Sequence, residues 1–133
     1  MARFMLFIHP GISPEEYAAG PQLEDVEAMM RYNAELSKAG ALLAGDGLLP
    51  EVTRVGRAGA VDGPFSEAKE LVGGYWIIQA KDRAEAVAWA TRCPLGADDF
   101  IEVRQMVEVG DLSEELQAAA TTVAPGPEQT VES

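Results

Sequence analysis

The sequence predicts one ferredoxin-like α+β domain, and three observations carry that expectation. The chain has 133 residues, the usual size of one domain and too few for two full ones. Its segments read strand, helix, strand, inserted hairpin, strand, helix, strand, which is two βαβ-like halves of a split βαβ plan. The first strand is apolar on both parities, with Phe4, Leu6 and Ile8 on one side and Met5 and Phe7 on the other, so both of its faces need cover.

Each element has a local reason. Arg3 to His9 is a short apolar run closed by Pro10-Gly11, too brief for a buried helix and right for a central strand. Ser13-Pro14-Glu15-Glu16 has the spacing of a capping box, and Gly20-Pro21 stops the short helix it opens. From Gln22 to Ala39, Leu23, Val26, Met29, Met30 and Leu36 recur near helical spacing, with Gly40 as the C-cap. Ala41 to Leu49 reads as a strand with a bulge or bend at Gly45-Asp46-Gly47.

Val52–Val55 and Gly59–Val61 read as a small hairpin around Gly56-Arg57-Ala58-Gly59. Asp62-Gly63-Pro64-Phe65 is a turn, and Ser66 caps a short helix through Leu71. Tyr75 to Gln79 is rich in strand formers, Asp82 with Glu85 opens a helix that Cys93-Pro94 ends, and Phe100 to Val109 is the last strand. Residues 1–112 make the domain; 113–133 is a tail, helical over Ser113–Ala120 and, from Thr121 to Ser133, too poor in apolar groups to order itself.

Hydrophobic residues are 47% of the chain, enough for a core. A net charge of -12, from 22 acidic and 10 basic residues, argues against nucleic acid and anionic membrane as partners, since both are polyanions. The apolar run Phe4–Ile8 is too short for a signal peptide or a membrane span, and the single cysteine, Cys93, forms no internal disulfide; both fit a cytoplasmic protein. Two helices cover one face of a four-stranded sheet only. The apolar residues of the other face are then buried by a second copy, which predicts a homodimer.

Asp62-Gly63-Pro64-Phe65, Ser66 to Glu70, Gly74-Tyr75-Trp76-Ile77, Trp89 to Pro94 and Ile101 to Gln105 occur in an order that resembles the DGPF branch of the YCII-related (YciI-like) family, over roughly residues 3 to 112. The resemblance implies a dimeric α/β barrel of two ferredoxin-like protomers, with a cleft between the sheet and the inserted hairpin. It implies no activity, although some members are encoded beside extracytoplasmic-function sigma factors. Better-studied relatives carry a His in the first long helix and an Asp before a Pro after the second, an acid/base dyad that one relative uses to eliminate chloride from a chlorinated hydroxyhydroquinone. The matching positions here hold Met29 and Cys93, which cannot do His-Asp proton transfer, so that chemistry is not carried over.

Other residues suit chemistry on their own account. His9, the sole histidine, ends the first strand and is either a general base or a hydrogen-bonded capping residue. Asp62 is either its acid partner or a turn former bonded to local backbone. Arg104 shares a face of the last strand with Phe100, Glu102, Met106 and Glu108, and suits bidentate capture of a carboxylate, with Arg54 and Arg57 of the hairpin as helpers. Glu102 and Glu108 are expected to form ion pairs. Tyr75 and Trp76 alternate faces, so one enters the core and the other reaches the cleft, where it can stack on a flat ligand. Cys93 reads as a buried thiol. The acidic pairs Asp98-Asp99 and Glu114-Glu115 match no metal motif and the glycines no phosphate loop, so no metal or cofactor is expected.

Three functions remain open on these residues. The first is a regulatory or accessory module that binds a small organic anion in the dimer cleft. The second is a small lyase or isomerase acting on a cyclic or aromatic acid through His9 or Asp62. The third is a structural partner of another protein.

Overall fold

A continuous apolar run at the N-terminus makes β1 (Ala2–His9) the inner strand of an antiparallel sheet, flanked by β5 (Gly74–Ala80) and β6 (Phe100–Gln105), with β2 (Leu42–Gly47) beyond β5. The computed structural model describes residues 1–63 and 71–122. The strand order is β2-β5-β1-β6. Helix α2 (Leu23–Lys38) takes the chain from β1 past β5 to β2, and α3 (Arg83–Thr91) takes it from β5 past β1 to β6. Each crossover skips one strand, and the sheet remains open at β2 and β6. β3 (Thr53–Gly56) and β4 (Gly59–Asp62) form a separate two-stranded antiparallel sheet.

The core lies between one sheet face and the two long helices. Phe4, Leu6, Trp76, Ile78 and Ala80 from the strands meet Tyr32 and Leu36 of α2 and Ala86 and Ala90 of α3. The two alanines, one turn apart, let α3 lie close against β1, β5 and β6. On α2 the inward side is built from Met29, Tyr32, Asn33 and Leu36. Tyr32 stands edge-on to Trp76 at 5.5 Å and donates to the Trp89 carbonyl at 2.7 Å, while the Trp76 indole N–H donates to Asn33 Oδ1 at 2.8 Å. These satisfied polar anchors decide how the helix sits, and they leave Leu23 and Met30 exposed although both belong to the apolar pattern.

The helix starts follow their caps. Ser13 and Glu16 form the reciprocal capping box of α1 (Pro14–Ala18), and Asp82 accepts from the Glu85 N–H at the start of α3. α4 (Glu114–Thr122) begins after Ser13's counterpart Ser113, whose hydroxyl accepts from the Leu116 N–H. Two strand expectations are corrected. The irregularity of β2 falls between Leu42 and Ala44, not at Gly45-Asp46-Gly47; Gly45 is there because a Cβ would come within 3.0 Å of the Trp76 ring. The last strand ends at Gln105, not Val109, because Glu108 and Asp111 cap each other's backbone and fold Val109–Asp111 into a 3-10 turn. Pro64, Phe65, the helix expected from Ser66 and the tail from residue 123 onward lie outside the described residues.

The turn after β1 is tied to the loop before β6. The Gly11 N–H donates to Asp99 Oδ1 at 2.8 Å, and a Cβ at Gly11 would sit 2.4 Å from the Asp98 backbone. Gly11→Ala must push that loop away, and it should cost about 1–3 kcal/mol in a urea titration.

Candidate functional site

The sheet face opposite the helices carries the residues with chemistry. Antiparallel register places Ala44, Ile77, Met5 and Arg104 in one row across it, and Asp46, Tyr75, Phe7 and Glu102 in the next. His9 and Phe100 make a third, shorter row at the end of β1. The middle of this face is therefore apolar, with Met5, Phe7, Tyr75 and Ile77 half-buried, and its rim is charged. The two long helices, α2 and α3, are on the other side.

His9 is buried at the end of this face. Its Nδ1 lies 3.0 Å from the Leu71 carbonyl oxygen, which only accepts, so Nδ1 carries the hydrogen and donates it. Phe100 stacks on the imidazole with centroids 4.6 Å apart and planes 9° from parallel. Nε2 touches Oε1 of Glu102, yet it makes no hydrogen bond of acceptable direction and is left as a buried unpaired atom.

The carboxylate that reaches His9 is therefore Glu102. Asp62 does not fill that role: its carboxylate accepts from the Thr53 hydroxyl at 2.7 Å within the small sheet. Arg54 stands on that same small sheet, opposite Val61. Arg104 is exposed on the open face beside Met5. Of the two aromatic neighbours, Tyr75 lies on the open face and donates to Asp46 Oδ2 at 3.3 Å, while Trp76 is in the core under α2. Glu108 grips Arg3 through two bonds, Nε to Oε1 at 2.7 Å and Nη2 to Oε2 at 3.2 Å. That hydrogen-bonded guanidinium lowers the Glu108 carboxyl below its ordinary range and raises Arg3.

The pairing of His9 with Glu102 was not anticipated from the sequence. Its signal was present: both residues sit on the same face of what become neighbouring strands. What was missing was the register that brings residue 9 opposite 100 and residue 7 opposite 102.

Met29 and Cys93 are on the other side of the sheet, Met29 packed against the core and Cys93 within it. Burial, aided by the Asp99 carboxylate, pushes the Cys93 thiol from near 9 up to about 12. The folded chain then keeps this proton where the unfolded chain loses it, so the contribution is intact below the ordinary thiol range and fades as pH rises through it toward 12. Tyr32, raised by burial, adds to the same loss above its ordinary value of 10. Unfolding free energy should fall between about pH 8.5 and 10, and Cys93→Ala should flatten that decline in urea titrations run across the window.

Two shallow hollows lie away from the open face. One, about 380 Å³, is lined by Met1, Gly40, Gln79, Glu85 and Trp89; the other, about 280 Å³, runs between α3 and β6 past Leu95 and Phe100. Neither gathers the charged rim. Among the described residues no three His, Cys, Asp or Glu side chains converge as metal ligands, and no helix is long and apolar enough to cross a membrane.

The family model for the YCII-related domain matches residues 3–110. Comparison with curated proteins found no match. Among solved structures, the chain is similar to 5-chloro-2-hydroxyhydroquinone dehydrochlorinase (TftG) from Burkholderia phenoliruptrix AC1100, in complex with 2,5-dihydroxybenzoquinone. The two are 15% identical over 75% of this chain and 90% of that one, with a TM-score of 0.40. Similarity at that level carries no argument about mechanism.

Proposed function

The chain belongs to the YCII-related domain family, and from that premise we propose that it is a dimeric binding module that holds a small organic anion against the open face of its sheet. In this reading it belongs to the DGPF branch, works in the cytoplasm in a regulatory or accessory role, and pairs sheet to sheet with a second copy to make an α/β barrel. The observation that carries it is the row in which Arg104 stands next to Met5, with Ile77 on the far side of Met5. A guanidinium beside apolar groups that a second sheet would cover is a charge that a carboxylate can satisfy with two parallel bonds. Tyr75, one row along, supplies a flat side to the ligand.

A thermal-shift screen of small carboxylates, followed by titration of the best binder, tests the reading. Arg104→Ala should weaken binding by about tenfold to a hundredfold, the worth of a charged hydrogen bond, and Arg104→Lys should restore part of it. Equal affinity for wild type and Arg104→Ala removes Arg104 from the site.

A second reading, a small lyase or isomerase acting on a cyclic or aromatic acid, is favoured by one observation. A histidine and a glutamate meet at the end of the same face.

A further inference from the structure

The sole histidine is badly placed to meet a ligand. Its side chain is 8% exposed and Nε2 is covered, whereas the Glu102 side chain in contact with it is 52% exposed. Anything lying on the open face therefore reaches Glu102 first. Behind it, His9 is held rigidly by the bond from Nδ1 to the Leu71 carbonyl and by the Phe100 ring. With Nδ1 donating to the Leu71 carbonyl, Nε2 is left facing the Glu102 carboxylate, and one proton between these two atoms would join them. A buried acceptor without a donor is costly, and a single proton on Glu102 would supply the donor it lacks.

We propose that Glu102 is the acid/base group of the open face and that His9 is the buried positioning residue that stabilises the proton Glu102 takes up. The substrate class is a planar carbonyl acid with an acidic C–H. This rests on the reading of the open face as an anion site. The ligand's C–H bond breaks, an O–H bond forms on the Glu102 carboxylate, and the electron pair moves into the ligand carbonyl to give an enolate. Rotation of the carboxyl group then points the new O–H at Nε2. Arg104, about 7 Å along the same strand face, holds the ligand's carboxylate. Delivery of the proton to the enolate oxygen completes a keto–enol isomerisation, and no oxidant or reductant is needed.

Phenylpyruvate in D2O is the probe, with proton NMR following loss of its benzylic C–H signal. Wild type should exceed the uncatalysed exchange rate, and Glu102→Gln should lose about a hundredfold or more of that acceleration. His9→Gln can keep an N–H for the Leu71 carbonyl but offers no ring nitrogen to accept from a protonated Glu102. It should lower the rate at saturating phenylpyruvate per folded molecule, with the folded fraction counted by circular dichroism, while leaving the half-saturating concentration unchanged; a general loss of folding would leave the rate per folded molecule as it is in the wild type. If phenylpyruvate binds in an Arg104-dependent way but exchanges at the uncatalysed rate, the acid/base assignment falls and the anion site stands. If exchange is catalysed equally by Glu102→Gln, Glu102 is not the group. If the probe neither binds nor exchanges, both readings fall.

Discussion

Phe4→Ala will cost the fold about 3–5 kcal/mol, read as a drop in the urea midpoint with little change in slope. Phe4 has no exposed surface; it lies on the helix side of β1 with Leu6, opposite Ile78 of β5, and belongs to the cluster that Tyr32, Leu36 and Ala86 close from above. Truncation leaves a cavity that two helices and a sheet cannot easily collapse, and a native domain has only about 5–15 kcal/mol to lose. Phe7→Ala, three residues on and on the other face, should cost the isolated protomer less, because Phe7 is only half-buried within it. Equal losses at the two positions would mean that the two faces of β1 are not covered differently within one chain.

Phe7→Lys will leave a folded monomer. Phe7 stands directly opposite Tyr75 on one side and Glu102 on the other, in the centre of the apolar part of the open face. A lysine there can pair across the strands with Glu102, so the protomer keeps its sheet. In a sheet-to-sheet dimer the same substitution takes a charge from each copy out of water, a cost that pairing with Glu102 does not offset in full. Light scattering should report the single-chain mass with an unchanged far-ultraviolet spectrum. A dimer that survives Phe7→Lys would place its interface elsewhere, for instance on the exposed Leu23 and Met30 of α2.

What could be read from the sequence was what local chemistry decides. β1, the capping box at Ser13 and Glu16, and the Asp82 start of α3 all follow from a few adjacent residues, and the structure has them. Strict alternation also separated Ile101 and Val103, which pack on the core, from Glu102 and Arg104, which do not. Other features depend on residues far apart in the chain. The inner side of α2 is chosen by Trp76, which needs Asn33 and Tyr32 as partners, so counting aliphatic residues found Met29 and Leu36 but also drew in the exposed Leu23 and Met30. The site shows the same division. Arg104 reaches the open face by parity alone, whereas parity left open which of Tyr75 and Trp76 does so, the carboxylate next to His9 is set by the register of β1 on β6, and Asp62 is held instead by Thr53.

Everything proposed for the open face, from the anion at Arg104 to the proton on Glu102, assumes that a second copy closes over it. Light scattering of the wild-type chain at micromolar concentration measures this directly. A mass twice the 14.2 kDa of the chain is the predicted result. A mass of 14.2 kDa at that concentration would contradict it, and with it the enclosed anion site.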